Sequence, residues 1–353
     1  VPPLFVLVQT VIPADMQPPS RVCLRVITQS EQRTFRRCAR EHFYAYQQRY
    51  RPVEDAKTLR FGSLIHDGLE AYWRFIGHNP LAEAIEAILL SGDSDPFDLA
   101  LARALLTAYD ARWQNDYHEV LEVEVEFSTP LLNPQTGHAS KTFVLGGKLD
   151  VIVRAPDGLF YIVEHKTSSE DLAAGSTYWQ RLRIDSQVST YYEGARALGY
   201  DVAGAIYDVL GKPQLRPLKA TPVESRKYTK QGALYANQRE LDETPDEYEL
   251  RVLEHLTENP DRYFHRGVVV RLEAEEREAA FDTWQTARLI REAELAQRYP
   301  RNADACPRYG RMCSFFDVCT GSASIEDPLR FRRLETPHEE LSHAPANDNA
   351  AKP

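Results

Sequence analysis

The sequence predicts an α/β protein, and three observations carry that expectation. Residues 121–130 (LEVEVEFSTP) alternate apolar residues with glutamates, as a half-exposed strand does. Residues 62–118 instead repeat their leucines and alanines at helical spacing. Beyond them, a helical stretch at 184–198 separates two strand-like runs, 159–166 and 202–210. The chain has 353 residues, 43% hydrophobic and 27% charged, which is a globular composition. Its length suits two domains, or one domain with large insertions.

Charge and cysteine content exclude several classes. Lys and Arg total 42 against 52 Asp and Glu, so the net charge of -10 argues against coating nucleic acid by bulk charge. A local basic groove stays open. No run of 18 apolar residues occurs, so no membrane span is expected. The apolar stretch Leu4 to Ile12 is broken by Gln9 and Thr10, lacks a preceding basic residue, and makes a poor signal peptide. Five cysteines do not make a secreted disulfide scaffold. A cytoplasmic chain with reduced thiols is the expectation.

In chain order, residues 1–20 form an extension ending in the proline-rich loop 13–20. A helical region, 21–120, follows. Its first part, 21–60, holds ten Lys/Arg and four Asp/Glu. Ser30 is the expected N-cap of a helix that continues through Phe35, Phe43, Tyr44 and Tyr46. A second helix covers 62–77, and 81–118 hold two or three more around the break SGDSDPF. The core, 121–210, starts with the alternating strand. Strands 142–154 and 159–166 then form a hairpin around Pro-Asp-Gly, followed by the helix 184–198 and the buried strand 202–210. Residues 211–300 hold a basic loop or short ribbon (212–230), an acidic stretch (239–258) and a long charged helix (272–298). A cysteine segment (301–335) and a disordered tail (336–353) complete the chain.

The chemistry sits on the hairpin. Gly147-Lys-Leu-Asp150 lies late in one strand and Glu164-His-Lys166 at the end of the next. Glu164 and Lys166, two apart, share a strand face. Asp150 and Glu164 need not face each other; twist or a bulge near the double glycine would bring them to one edge. Two carboxylates beside a lysine offer hard oxygen ligands for Mg²⁺ or Mn²⁺ and a cation to orient water. A bare E-x-K is most often a surface ion pair, and the upstream G-x-x-D makes the two readings equal. Gln187 and Tyr191 share a helix face at i, i+4 and suit phosphate, sugar or base contacts. His66, in the helix before the sheet, can complete a divalent site and favours Mn²⁺.

In that order, G-S-L-I-His66, G-x-x-Asp150, Glu164-x-Lys166 and Gln187-x-x-x-Tyr191 resemble the motifs of the RecB-like branch of the PD-(D/E)XK nucleases. The pattern is similar to CRISPR-associated RecB-like exonucleases and AddB-type helicase-nuclease subunits, over about residues 28–320. The resemblance implies a restriction-endonuclease-like core: a mixed central sheet flanked by helices, with helical insertions. It implies a metal held by His66, Asp150, Glu164 and the backbone carbonyl of His165. Lys166 then positions the attacking water, and Gln187 and Tyr191 hold the strand. It also implies DNA as substrate, often single-stranded or with frayed ends. Exonuclease action in recombination, repair or phage- and CRISPR-related processing follows, with a helicase or recombination protein as partner. A DNA-binding structural subunit is the alternative; the intact D…E-x-K favours the enzyme. No Walker A pattern encodes a motor.

Cys306-x₆-Cys313-x₅-Cys319 lies near the end of the chain, and Cys38 lies 268 residues before Cys306. These spacings fit a [4Fe-4S] cluster better than zinc, whose sites use tighter pairs. The arrangement resembles the iron staple of the same nucleases, a clasp between N- and C-terminal segments that holds Arg36, Arg37 and Arg40 beside a DNA path. Cys23 has no ligand role in this pattern.

Overall fold

The computed structural model describes residues 24–53, 57–92, 95–116, 118–308 and 310–341. The N-terminal extension, Cys23 and the tail from residue 342 lie outside these residues.

A short strand, β1 (Arg25–Ile27), leads into helix α1 (Gln29–Arg37). Ser30 does not cap α1. The Thr28 hydroxyl does, accepting the Glu31 N–H at 3.2 Å, because Thr28 is the last extended residue before the first turn and Ser30 lies inside the helix. The expected continuous helix also breaks. Cys38 is extended (φ −159°, ψ 111°), and α2 (Ala39–His42) then runs into a π-turn, Phe43–Gln47, and strand β2 (Tyr50–Pro52).

Helix α3 (Lys57–Arg74) carries His66. Residues 81–118 form two helices, α4 (Pro80–Leu90) and α5 (Pro96–Trp113). Asp95 caps α5 through the Phe97 and Asp98 N–H groups, with Pro96 at the first helical position. The strands β3 (Glu119–Leu132) and β4 (Ala139–Arg154) are longer than their apolar patterns. They lead to β5 (Phe160–Ser168), helices α6 (Thr177–Leu182) and α7 (Ser186–Ala197), and β6 (Val202–Gly211). Residues 212–230 are loop apart from a 3-10 turn at Val223–Ser225, with one isolated bridge, Tyr228 to Leu234. Helices α8 (Pro245–Glu258) and α9 (Pro260–Tyr263) precede strand β7 (Phe264–Val269), which the sequence did not announce, and the long helix α10 (Glu273–Ala296).

The central sheet is mixed, in the order β1-β4-β5-β6-β7, with β3 on the other edge of β4. Helices α3, α4, α5 and α8 bury Phe61, Leu64, Ile65, Leu69 and Leu105 against Val151, Val163 and Ile206 on one side. Helices α6, α7 and α10 bury Leu182, Val188 and Ile290 against Ile152, Ile162 and Tyr207 on the other. One detail of the pairing positions the site. On the edge facing β5, β4 pairs with β1 at Phe143–Leu145 and with β5 at Val151–Arg154. Residues 146–150 lie between those two ladders, so the sheet splits at Asp150.

The C-terminal segment returns to the N-terminal one. Its ribbon β8 (Pro307–Arg308) and β9 (Arg311–Met312) leads to α11 (Phe316–Thr320), and β10 (Phe331–Arg333) pairs with β2. Phe315 and Phe331 stack over Tyr44 and Ala45. Residues 336–341, expected as disordered tail, are packed: His338 is buried against Thr28 and Glu31.

Candidate active site

The split in the sheet creates the site. Past Val151↔Val163, the β4 and β5 backbones part, and the His165 N–H donates to Asp150 Oδ2 at 2.9 Å instead of to a ladder carbonyl. Asp150 and Glu164 therefore stand at the mouth of one cleft, both buried. Gly147 is required by packing: a Cβ there would sit 2.9 Å from two atoms of the Phe127 ring. Period-2 geometry puts Lys166 beside Glu164, and its ammonium contacts Glu164 Oε1.

From α3, His66 Nε2 reaches Asp150 Oδ2 at 3.2 Å. From α7, Gln187 Nε2 donates to Glu164 Oε1 at 3.2 Å and to Tyr191 Oη at 2.6 Å, and Tyr191 Oη donates to the same Glu164 oxygen at 3.2 Å. Asp185 fixes the first turn of α7 by accepting the Gln187 N–H at 2.9 Å. Gln187 and Tyr191 thus converge on a carboxylate, not on open solvent, and Tyr191 is 8% exposed. The His165 ring points to the opposite side, toward Trp73 and Asp208.

Sequence reasoning missed Glu124. It belongs to the alternating glutamates of β3, which read as a solvent face. The register Val123↔Val151 and Val125↔Leu149 sets it opposite Asp150, and its backbone sits at φ +54°. A non-glycine residue pays about 1 kcal/mol or more for that conformation. It aims the carboxylate inward: Glu124 Oε1 lies 3.8 Å from His66 Nδ1, and Oε2 contacts the Lys148 ammonium. Nothing in a strand's local pattern marks one glutamate of three for this turn.

Electrostatics separate the two buried carboxylates. Burial resists ionisation of Asp150, but the adjacent, hydrogen-bonded His66 and then Lys166 overcome it and hold its pKa well below the usual range. Glu164 is pushed up to about 7, by burial first and then by the Asp150 charge, against the pull of Lys166. Burial lowers the His66 pKa, yet Asp150 raises it, on balance to about 9. Glu164 Oε2 is buried and makes no hydrogen bond. Ligand atoms of His66, Glu124 and Asp150 lie within 4.8 Å of one another. A hard divalent cation fits this donor set of carboxylates and imidazole.

The four remaining cysteines line one cavity of about 330 Å³, together with Arg40 and Arg301. Cys38 faces it from the break between α1 and α2. The C-terminal thiols are held by Cys313 N–H donating to Cys306 O at 2.7 Å, while Arg40 N–H donates to Pro300 O and Asn302 Nδ2 to Arg37 O. Burial pushes the Cys313 thiol up to about 11, and neighbouring Cys38 and Cys306 add to the rise.

The profile of the PD-(D/E)XK nuclease superfamily matches residues 26–320. The chain belongs to that superfamily. The split strand pair carries Asp150 on one side and Glu164-x-Lys166 on the other. Similar solved structures include a chain described as SSO0001, at 14% identity over 73% of this chain and 86% of that one, with a TM-score of 0.31. A candidate exonuclease from Eubacterium rectale has 13% identity, coverage of 90% and 96%, and a TM-score of 0.46. A phage related exonuclease from Haemophilus somnus has 12% identity, coverage of 78% and 96%, and a TM-score of 0.26. No curated protein matches the chain. No helix among the described residues is long and apolar enough to cross a membrane.

Proposed function

We propose that this PD-(D/E)XK nuclease is a divalent-metal-dependent deoxyribonuclease of the RecB-like branch, acting as an exonuclease in DNA recombination, repair or phage- and CRISPR-related processing. The observation that carries the reading is the convergence of Asp150, Glu164 and Lys166 on one cleft, with Glu164 Oε2 buried and without a hydrogen-bond partner. His66, Asp150, Glu164 and the His165 carbonyl are the proposed ligands of Mg²⁺ or Mn²⁺, and Glu124 adds a carboxylate beside them. The ion would lower the pKa of a water and neutralise charge on the scissile phosphate.

The chain's own residues do the rest. Lys166 lies next to Glu164, where an ammonium can orient water and stabilise negative charge at the phosphate. Gln187 and Tyr191 hold Glu164 through one oxygen and leave the other for the ion. His66 holds Asp150 from the helix side. Cleavage of end-labelled single-stranded and duplex DNA with Mg²⁺, Mn²⁺ or EDTA tests the reading. Metal-dependent release of nucleotides from an end, lost in Glu164→Gln, is expected; equal cleavage by that variant refutes it.

We also propose a [4Fe-4S] cluster in the cysteine cavity, bound by Cys38, Cys306, Cys313 and Cys319. Tetrahedral zinc at about 2.3 Å from each sulfur would bring thiolates to roughly 3.8 Å of one another. The sequence spacing of these cysteines is wider than the tight pairs that zinc sites use, which favours the cluster. Iron content and visible absorbance of anaerobically purified protein decide between the two.

A further inference from the structure

We propose that the long loop between β6 and α8 is an arm that holds single-stranded DNA beyond the cleavage cleft, stacking bases on Tyr228 and Tyr235 and pairing phosphates with Lys227 and Lys230. The proposal rests on the nuclease reading for the identity of the strand. Residues 219–242 fold back on themselves as an irregular ribbon. The Thr221 N–H donates to Arg239 O at 2.9 Å, the Tyr235 N–H to Lys227 O at 3.1 Å, and the Thr229 N–H to Ala233 O at 2.7 Å, around a turn in which Gly232 has φ +81°. No residue of this segment is buried. Its hydrogen bonds stay within the ribbon, apart from that of Arg239 to Glu247 at the base. A two-stranded ribbon that packs against nothing is marginal in water, and a partner that covers it adds stability.

Charge and side chains name the partner. From Arg226 to Arg239 the sequence has four Lys/Arg and no Asp/Glu, in a chain whose net charge is -10. The acids of the arm, Glu224, Glu240 and Asp242, lie nearer its base. Arg226 meets Glu240 at 3.8 Å and Arg239 meets Glu247 at 2.5 Å. Lys227 and Lys230 are exposed and form no ion pair among the described residues. The bridge Tyr228↔Leu234 puts those two side chains on one face of the ribbon, and alternation puts Lys227 and Tyr235 on the other. Tyr228 is 55% exposed and Tyr235 46%. A lysine across from a tyrosine suits one nucleotide, with an ammonium for the phosphate and a ring for the base. A duplex keeps its base faces in the stack, so exposed rings select an unpaired strand.

The base of the arm joins the strand that carries the chemistry. Lys212, the first residue after β6, donates its N–H to Ser168 O at 2.7 Å, and Ser168 is two residues past Lys166 on β5. The Lys212 ammonium lies 3.6 Å from the centre of the Phe61 ring, on the helix that supplies His66, and forms no ion pair among the described residues. From there the chain is pinned to α8. Tyr248 Oη donates to Leu215 O at 2.9 Å, and the Glu243 carboxylate accepts both the Leu218 N–H and the Arg251 guanidinium at 2.7 Å. The root is thus fixed beside the end of β5, and the cationic end is exposed. A strand that leaves the cleft past the end of β5 reaches Lys212 and then the arm.

The test uses the Glu164→Gln chain, so that binding is read apart from cleavage. Affinities for a labelled oligo(dT) and for a blunt duplex are measured against salt. Tyr228→Ala/Tyr235→Ala should weaken oligo(dT) binding about tenfold with the log–log salt slope unchanged, because stacking releases no counterions. Tyr228→Phe/Tyr235→Phe should restore the affinity, since the ring is kept. Lys227→Ala/Lys230→Ala should make the slope shallower by about 1.4, for two lost phosphate contacts. Duplex affinity should change less than about twofold in the tyrosine variants. Because the arm buries nothing, Tm should match that of the parent chain, which separates lost contacts from lost folding. Unchanged oligo(dT) affinity and slope in both Ala variants overturn the proposal, and so does an equal loss on the duplex. Self-association of the parent chain that Tyr228→Ala/Tyr235→Ala abolishes, with DNA affinity kept, also overturns it and makes the arm a protein contact. A wild-type chain that shows these losses but cleaves no DNA defeats the nuclease reading and leaves the arm standing; metal-dependent cleavage without them does the reverse.

Discussion

Glu31 is the most enclosed acid of the N-terminal segment, and its surroundings predict a pH-dependent lock between the two ends of the described chain. His42 Nε2 lies 2.9 Å from Glu31 Oε1, His338 Nε2 lies 3.2 Å from Oε2, and Arg25 lies at 3.5 Å. Glu340 and Thr28 face the other His338 nitrogen, and Glu294 of α10 holds Arg25. Burial alone would lower the His338 pKa; its bonds to Glu31 and Glu340 raise it from 6.5 to about 9. Burial would likewise raise Glu31, but the bonds from His338 and His42 bring it from 4.5 to about 2. The signs follow. The raised His338 contributes stability that is complete below pH 6.5 and is lost as pH rises through about 9. The depressed Glu31 contributes stability that is complete above pH 4.5 and is lost as pH falls through about 2. The lock is therefore strongest between these limits. A shift of that size in His338 corresponds to roughly 3 kcal/mol, shared with Glu31 and counted once. In a chain this long, that is about 4 °C in Tm. Thermal melts of wild type and His338→Gln between pH 5 and 10 provide the assay. The wild type should melt higher at low pH, and the gap should close as pH rises through about 9. A gap that stays constant across that range refutes the reasoning, because His338 would then act by packing alone.

Lys166→Ala should lower kcat far more than it raises KM, since its work lies in the transition state; a pure KM effect would make Lys166 a ground-state phosphate contact. Tyr191→Phe removes one hydrogen bond to the Glu164 carboxylate, worth about 1.5 kcal/mol at its length, so turnover should fall roughly tenfold without loss of DNA affinity. Rates within a factor of about two of wild type would exclude a positioning role. Glu124→Gln should weaken metal affinity, read as a higher Mg²⁺ concentration for half-maximal activity; an unchanged Mg²⁺ requirement would make Glu124 only the partner of Lys148. Cys313→Ala should lose iron and lower Tm, whereas Cys23→Ala should do neither; iron retained in every Cys→Ala variant defeats the cluster.

How much of this was legible in the sequence follows from the range of each interaction. Glu164 beside Lys166, and Gln187 beside Tyr191, are fixed by strand and helix periods, and both pairs meet as the spacing requires. What those pairs touch is not periodic information. Gln187 and Tyr191 were expected to contact a strand, and in the fold they grip Glu164. The meeting of Asp150 with Glu164 depends on the register around a five-residue turn and on the divergence of the two strands beyond Val151, neither of which the apolar pattern specifies. Strands β1 and β7 were missed because three residues carry no period and because β7 (FHRGVV) lacks a clean alternation. Glu124 was missed because its role comes from a left-handed backbone inside a strand, which side-chain pattern cannot show.

The split sheet also explains why the site and the cysteine cavity belong to one structure. β4 can part from β5 at Asp150 because the same edge is claimed, five residues earlier, by β1. β1 is only three residues long, and an isolated parallel pairing of that length is weak. It is held from outside the sheet: His338 Nε2 faces the Val26 carbonyl at 3.2 Å, and Arg25 pairs with Glu294 at 2.5 Å. The helix that follows β1 ends at Cys38, where Asn302 and Pro300 tie it to the cysteine segment. The ends of the described chain thus brace β1, and β1 helps define the unpaired stretch that opens the Asp150 cleft. Loosening the cysteine segment should then impair cleavage through the geometry of Asp150, although none of the four described cysteines lies in the cleft.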